Sequence, residues 1–505
     1  MKKILLVIGL SLIWGPLTYA QTTWEKALEE MEQRIERKKQ DQQDRLDLRF
    51  SNQMRRLWIQ MALEKSPDAP GMPDPDNPTI FDPSSSLFPL DQEITVLPPL
   101  RNEPEQREDH TVSRMPRQEL APVPDDIRED MSRKLTRQVQ ADYFGSYMDL
   151  RYDAKMEFSL GSRITEDRIA DLWENLEKTD HELLLYQLVR KSRTMNLNDW
   201  GFCQLLNTLA KEIYPRDKNA RVMFCWFFLS KAGYISTVSY DNSNLYLMLP
   251  SKQVLYGKTY MNGKQHKLYA IDLDGESLEL NRSKVFKQKY PEANRVLDFR
   301  IDRAPSFSRQ AIRKNLSFSY YGERYTIPVE LNRNVIEFYQ TYPFVDLEIY
   351  LGAPLSEEAR KSLVPPLREI MNQIEPRDGR SREAENVNFL LRFSQTALAY
   401  KSDRDQFGGE KYLFADETLY YPYSDCEDRS VLFAYLVKEI LGYEVVGLLY
   451  PGHAATAVRI PGPAKGDFIT HNGKRYYVCD PTYINASYGM SLPDVRGQMA
   501  RVIKF

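Results

Sequence analysis

Three side chains in the last part of the chain have the chemical types that acyl transfer requires. Cys426, His453 and Asp480 follow one another at equal spacing. A thiolate attacks a carbonyl carbon, an imidazole accepts and returns the proton, and a carboxylate orients the imidazole. Taken singly, a buried thiol, a structural imidazole and a turn-forming Asp are the more common explanations. Together they predict a nucleophilic triad.

The residues around the thiol predict its local structure. Segment 424–427 has the Ser-x-x-Glu form of a capping box and precedes an apolar run, which places Cys426 in the first turn of a helix. Unpaired amides and the positive helix end are expected to lower the pKa of the thiol and to receive an oxyanion. Arg429 and the helix end must then outweigh three acidic neighbours: Asp425, Glu427 and Asp428.

The imidazole and the carboxylate have distinct sequence settings. His453 follows the turn Pro451-Gly452 and begins a strand of small residues, whereas Asp480 ends the strand RYYVCD before a proline. An Asp at a strand end can accept a hydrogen bond from a neighbouring imidazole. The other four His are expected to face solvent: His110, His181, His266 and His471.

Two further features of this region stay open. A second oxyanion donor is not identifiable among Gln406, Tyr420 and Tyr423. The tyrosine-rich segment 412–425 could line a substrate groove or pack into the core. No metal site and no cofactor is expected.

Three segments in order resemble the catalytic core of the transglutaminase-like superfamily: DCEDRSVLF (425–433), GHAATAV (452–458) and NGKRYYVCDPTY (472–483). The resemblance covers roughly residues 389–489 and makes no claim on the N-terminal half. It implies a papain-like α+β core with Cys426, His453 and Asp480 as triad. Members include peptidases, amidases and protein cross-linking enzymes. The acidic neighbours of Cys426 depart from the family, which more usually has Gly or small residues there.

The preceding chain predicts an α+β fold. Helical periodicity covers 166–176, 181–193, 199–213 and 220–232, and strand signals follow at 235–240, 245–249 and 266–271. A β-rich stretch is expected over 295–350, followed by helices at 367–374 and 387–400.

An internal duplication is predicted from matched segments. The helix 431–443 parallels 223–234, and Tyr450 lies as far from Tyr240 as the second Asn-Gly-Lys does from the first. Asp272 would match Asp480, with Asp217 or Lys218 in place of Cys426 and Ser243 or Asn244 in place of His453. The earlier lobe is therefore expected to be inactive. The alternative is that any helix followed by a β-meander produces similar sequence patterns without a duplication.

The N-terminal region reads as an export signal and a spacer. Residues 1–20 combine two lysines, a short apolar run and Ala20, which predicts a cleaved signal and a periplasmic or secreted protein. The run is too short to span a bilayer, although a retained anchor is the alternative, and no later stretch is expected to span. A long exposed helix over 21–65 and a Pro-rich linker over 66–128 follow. The linker is expected to act as a spacer or to carry a docking segment.

Composition bounds the remaining possibilities. The 505 residues include 68 basic and 71 acidic side chains, so no basic face for nucleic acid is expected. Four cysteines are too few for a disulfide scaffold, and whether Cys203 and Cys225 pair stays open. The predicted domains after the linker are an inactive lobe (129–290), a β-rich connecting region (291–380) and a catalytic domain (381–505).

These features predict an exported thiol hydrolase, a peptidase or amidase, whose substrate is a protein or peptide. The first alternative is a non-enzymatic envelope scaffold or assembly factor that binds proteins through its lobes. The second is a cross-linking acyltransferase. An envelope protein is the expected partner of the N-terminal helix or linker.

Overall fold

The computed structural model describes residues 122–505 except 264, 277, 279, 281–282, 288–289 and 291. The predicted signal, long helix and most of the linker lie outside these residues. The described chain is α+β, as predicted, with twelve α-helices and two five-stranded sheets. Across the described residues, no helix combines the length and the apolar character needed to cross a membrane.

The first part of the described chain is mainly helical. Helix α1 begins at Asp125, ahead of the boundary predicted at residue 129. A hairpin and four helices follow, the helices within a few residues of their predicted bounds. Helix α1 ends at Lys134. The elements of the hairpin and the four helices are β1 (Arg137–Tyr143), β2 (Ser146–Tyr152), α2 (Glu166–Glu177), α3 (His181–Thr194), α4 (Asp199–Ile213) and α5 (Lys218–Lys231).

The first five-stranded sheet is antiparallel throughout, in the order β5-β6-β4-β3-β7. Its strands are β3 (Thr237–Tyr240), β4 (Leu245–Pro250), β5 (Tyr260–Asn262), β6 (Lys267–Ile271) and β7 (Lys284–Val285). Helix α5 packs on β4 and β3. Its run of aromatic residues is buried between this sheet and the neighbouring helices, which explains why apolar side chains surround most of the helix.

The connecting region is less β-rich than predicted. It contains one long hairpin, β8 (Ala311–Tyr320) with β9 (Glu323–Asn332), and then the helices α6 (Arg333–Tyr339), α7 (Leu347–Gly352) and α8 (Glu357–Gln373). Helix α8 starts ten residues before the predicted helix at 367, because the Ser356 side chain caps it by accepting from the Ala359 N–H.

The last part of the chain builds the second five-stranded sheet, also antiparallel, in the order β14-β15-β13-β12-β16. Its strands are β12 (Val445–Tyr450), β13 (His453–Val458), β14 (Phe468–His471), β15 (Lys474–Cys479) and β16 (Arg501–Ile503). The preceding elements are α9 (Arg382–Thr396), β10 (Ala399–Tyr400), α10 (Asp403–Phe407), α11 (Ala415–Tyr420), β11 (Tyr423–Ser424) and α12 (Cys426–Leu436).

The two sheets share one strand order, and each receives a helix across its central strands. They differ at one hairpin. Tyr240 pairs with Leu245 across the four-residue loop 241–244, whereas Tyr450 pairs with His453 across Pro451-Gly452. Leu245, rather than Ser243 or Asn244, therefore stands in register with His453, which corrects the sequence match. The duplication stays a prediction, and the shared order supports it.

A single large hydrophobic cluster joins these parts. It extends from Ile127 to Ile503 and includes residues of both sheets, the β8–β9 hairpin and most of the helices. Helix α9 packs on β8, and α8 packs on β9, so the hairpin lies between helices of the connecting region and the C-terminal part. The elements that carry the predicted triad are thus supported from the rest of the chain.

Candidate functional site

His453 and Asp480 are in direct contact. His453 is the first residue of β13, and its Nε2 lies 2.7 Å from Asp480 Oδ2, with both side chains buried. The turn before it requires Gly452, whose φ of 75° lies in the left-handed region that other residues rarely adopt. The turn and the strand start together direct the imidazole toward Asp480.

The second carboxylate oxygen of Asp480 is held by the backbone. Oδ1 accepts from the N–H groups of Thr482 (2.9 Å) and Tyr483 (3.1 Å). The Gln395 side-chain amide, on α9, lies 3.1 Å from the Asp480 carbonyl oxygen. Asp480 is therefore oriented from both sides, and its Oδ2 is left to bind the imidazole.

Cys426 begins α12, as predicted, but the cap differs from the predicted one. Asp425 is the N-cap, and its N–H donates to Asp428 Oδ2 at 3.3 Å. The predicted partners, Ser424 and Glu427, have other roles. Ser424 is buried and accepts from Arg429 Nε, and Glu427 turns toward the thiol.

The thiol lies beside the start of β13. Its sulfur faces the backbone N–H of Ala454, the residue after His453. The Sγ donates to Glu427 Oε2 at 2.9 Å, and no hydrogen bond between Sγ and the His453 ring is present in the described part of the chain. The structure thus joins two members of the predicted triad directly and places the third beside the same strand.

The pKa of the Cys426 thiol is raised well above its ordinary value, which corrects the predicted lowering. Burial is the largest cause, followed by the charges of Glu427 and Asp425. Cys426 is only 6% exposed, so the favourable helix end does not offset the loss of solvation.

The charge of Arg429 acts to lower the pKa of Asp425, but it does not keep the pKa of the Cys426 thiol low, as the sequence had predicted. Its guanidinium is almost completely buried, with Nη1 donating to the Gln395 carbonyl (3.1 Å) and Nη2 to the Leu398 carbonyl (2.8 Å). Burial also lowers the pKa of Arg429. The side chain acts as a link between the end of α9 and the start of α12.

A group of acidic side chains surrounds the start of α12, and the sequence pattern did not identify it as a group. Asp403 comes from α10, whereas Asp425 and Asp428 come from the start of α12, and all three are buried close together. Burial raises the pKa of each of these carboxyl groups. Among the residues that the structure describes, these three carboxylates form the group that could hold a metal ion, whereas the sequence predicted no metal site.

Several other expectations are settled by burial. His181 is buried rather than solvent-facing, because α3 packs into the core. Most of the tyrosine-rich segment belongs to the core, whereas Tyr423 is exposed. The Gln406 Nε2 atom is buried without a hydrogen-bond partner. All four cysteines are buried free thiols, so Cys203 and Cys225 are not bridged.

The first sheet has a different arrangement at the equivalent place. Lys218 is the first residue of α5, as Cys426 is of α12, and Asp272 follows β6, as Asp480 follows β15. The Lys218 Nζ lies 2.7 Å from Asp272 Oδ2. An ion pair therefore occupies the positions that correspond to Cys426 and Asp480, and Leu245 stands where the C-terminal sheet has His453.

Comparisons with protein-family models, with curated proteins and with solved structures return no match for this chain.

Proposed function

We propose that the protein is an exported thiol hydrolase that cleaves a peptide-type amide through a Cys426 acyl intermediate. The observation that carries this proposal is the 2.7 Å contact between His453 Nε2 and Asp480 Oδ2 beside the thiol-bearing helix. The resemblance of segments 425–433, 452–458 and 472–483 to the transglutaminase-like superfamily points to the same three residues. In this proposal the C-terminal sheet and α12 form a papain-like core.

The contacts assign each residue a role in the reaction. A carboxylate only accepts, so Asp480 fixes the proton of His453 on Nε2 and leaves the lone pair on Nδ1. Nδ1 takes the thiol proton as the sulfur bonds to the carbonyl carbon, and it returns that proton to the departing amine. Water then attacks the thioester and gives a proton to Nδ1, which passes it to the departing sulfur, so that the acid and the free thiol are released.

The first step requires the thiol to leave Glu427. In the described state the Sγ hydrogen bond goes to Glu427 Oε2, and rotation about χ1 is the motion that would redirect it. The N–H groups of Cys426 and Glu427, which have no intrahelical acceptor at the start of α12, would then receive the oxyanion.

Selective alkylation tests the proposed nucleophile. The full-length protein is treated with iodoacetamide at fixed pH, and the rate at each cysteine is followed by peptide mass spectrometry. The buried thiols Cys203, Cys225 and Cys479 serve as internal controls. We expect Cys426 to react at least about tenfold faster than the controls and to lose this advantage in His453→Ala. Equal rates at all four cysteines, in a folded protein, would reject the proposal.

A non-enzymatic scaffold is the second candidate, and one observation favours it. The Cys426 thiol is buried, has a raised pKa and donates to a carboxylate instead of an imidazole. Such a thiol is a structural group. A peptide library distinguishes the two functions: cleavage that disappears in Cys426→Ser supports the hydrolase. Binding of peptides without cleavage or thioester formation supports the scaffold.

The first lobe is proposed to be a non-catalytic copy of the second. The strand order that the two sheets share supports a common origin of the two lobes. The Lys218–Asp272 ion pair supports the absence of a catalytic triad in the first lobe. We expect Lys218→Met to leave the alkylation rate of Cys426 unchanged. A loss of reactivity in this variant would contradict a purely supporting lobe.

Export is proposed from residues 1–20. The two lysines, the apolar run and Ala20 have the form of a cleaved signal. N-terminal sequencing of the mature protein from a periplasmic or culture fraction should give a start near Gln21. Recovery of the uncleaved chain in the cytoplasm would contradict both the cleavage and the location.

A further inference from the structure

We propose that a cavity in the first lobe binds the C-terminal residue of a peptide, with Arg221 as the group that holds the terminal carboxylate. The cavity has a volume of about 410 Å³. It lies between the first turns of α5, the start of β4 and the loop after β6, and one residue of α4 closes it. Cavities of about 300–1,000 Å³ are the usual size of small-ligand sites.

The position of the cavity separates binding from chemistry. Lys218, Leu245 and Asp272 line it, and these residues stand where the second lobe has its predicted triad. The ion pair between Lys218 and Asp272 leaves neither a nucleophile at the helix start nor an imidazole beside it. A peptide held here would be bound without being cleaved. The inference rests on this cavity and not on the proposed hydrolysis by the second lobe.

The acidic side chains that line the cavity already have partners. Asp272 Oδ2 lies 2.7 Å from Lys218 Nζ. Asp274 Oδ1 lies 2.6 Å from Lys211 Nζ and accepts from Asn207 Nδ2 at 2.8 Å. Burial opposes the ionisation of Asp274, but the contacts with Lys211 and Asn207 hold its pKa below its ordinary value. The ammonium group of a ligand would therefore compete with partners that are already in place.

Arg221, by contrast, has hydrogen-bond donors to spare. Its Nη1 donates to the Pro215 carbonyl at a long 3.4 Å, and its Nη2 lies 3.8 Å from Asp274 Oδ2, which is beyond hydrogen-bond distance. The Arg221 side chain is only 18% exposed and lines the cavity. A guanidinium binds a carboxylate through two parallel hydrogen bonds. The donors of Arg221 therefore favour a ligand with a carboxylate.

The rest of the cavity wall is largely apolar. Its side chains include Val222 and Cys225 from α5, Leu247 from β4 and Ile271 from β6. Cys225 is a free thiol, and burial raises its pKa, so it contributes an uncharged surface. An apolar side chain next to a carboxylate, as in a C-terminal leucine, matches both parts of the cavity.

Asn207 favours a peptide over a simple carboxylic acid. Its Nδ2 donates to Asp274, and no described group donates to its Oδ1. Asn207 and Arg221 face the two oxygens of the same Asp274 carboxylate, so they lie close to each other. The N–H of a C-terminal peptide residue can donate to Asn207 while its carboxylate binds Arg221. A hydrocarbon acid has no such N–H.

Calorimetric titration of the full-length protein tests the ligand class. The probes are acetyl-alanyl-leucine, its C-terminal amide, which lacks the carboxylate, and hexanoate, which lacks the peptide N–H. Mass spectrometry after each titration checks that the peptides are intact. We expect the amide and hexanoate each to bind at least about tenfold more weakly than the peptide acid. Equal binding of the acid and the amide would overturn the role of the carboxylate, and tighter binding of hexanoate would overturn a peptide ligand.

Variants place the ligand in the cavity. Arg221→Gln should weaken binding of the peptide acid at least about tenfold and abolish its advantage over the amide. Val222→Phe, which fills part of the apolar wall, should also weaken binding and serves if the first variant does not fold. Arg216→Gln is the matched control, because Arg216 is exposed and lies outside the cavity, and it should bind like the parent. The proposal is overturned if the peptide acid does not bind at millimolar concentration, or if both folded variants bind it like the parent.

Discussion

Asp480 shows how one side chain is specified by its surroundings. Its Oδ1 is held by two backbone N–H groups, and its Oδ2 faces His453. Since the backbone contacts involve only Oδ1, an amide in place of the carboxylate can keep the local fold. The charge and the acceptor at Oδ2 would both be lost. The residue therefore permits a test that separates chemistry from stability.

Asp480→Asn should abolish the proposed hydrolysis without unfolding the protein. An amide nitrogen at the Oδ2 position donates to Nε2 and moves the imidazole proton to Nδ1, which removes the proposed base. The loss in acylation rate should be on the order of 10³- to 10⁴-fold, measured with a substrate from the peptide library. The matched control is Asp272→Asn in the first lobe, which should keep full rate. A similar rate in both variants would contradict the role of Asp480.

At the scale of elements, Arg429 connects α9 to α12. The guanidinium donates to the carbonyls of Gln395 and Leu398 at the end of α9, and to Ser424 just before α12. Gln395 in turn binds the loop that follows Asp480. One side chain therefore sets the relative position of the helix that carries the thiol and of the loop that carries the carboxylate.

Arg429→Met should destabilise the protein by about 3–5 kcal/mol, because buried carbonyl and hydroxyl groups lose their donors. Denaturant titration of the free energy of unfolding measures the effect. Arg368→Met is the control, since Arg368 is exposed and makes one long contact to the Glu439 carbonyl. Its cost should stay within about 0.5 kcal/mol. A small effect at Arg429 would show that the link does not hold the two elements together.

At the scale of the whole molecule, Asp416 makes the stability depend on pH. Burial raises its pKa to about 7, although the side chain and backbone of Ser356 both hydrogen-bond to it. The other titratable groups that face it are acidic or phenolic: Glu358, Glu417, Tyr339 and Tyr435. No described cation among them offsets the cost of its charge.

The contribution of Asp416 to the free energy of unfolding should therefore fall as pH rises from about 4 to about 7. The unfolded chain releases the Asp416 proton near pH 4, whereas the folded protein keeps it to about pH 7, so the folded state binds more protons over this range. The contribution is about 1.4 kcal/mol per pH unit. Denaturant titrations in EDTA at several pH values should show a slope smaller by this amount in Asp416→Asn. Identical slopes would contradict the raised pKa.

The sequence by itself determined the features that depend on local patterns. The helix that begins at Cys426, the strand that begins at His453 and the Asp at the end of β15 follow from periodicity and turn residues, which act over a few positions. The α+β fold class follows from the order of such segments. The β-rich prediction for 291–380 is less accurate, because the contacts that stabilise α6, α7 and α8 come from distant parts of the chain.

Only the tertiary structure decided what surrounds those residues. Asp403 and Asp428 belong to different helices, and the fold brings one carboxylate oxygen of each within 4.8 Å of the other. The raised pKa of Cys426 depends on burial, which a local pattern does not specify, and the partners of Arg429 lie on α9. Desolvation and charge repulsion depend on the three-dimensional distances between residues. Both effects can therefore be evaluated only once the fold gives the positions of the residues in space.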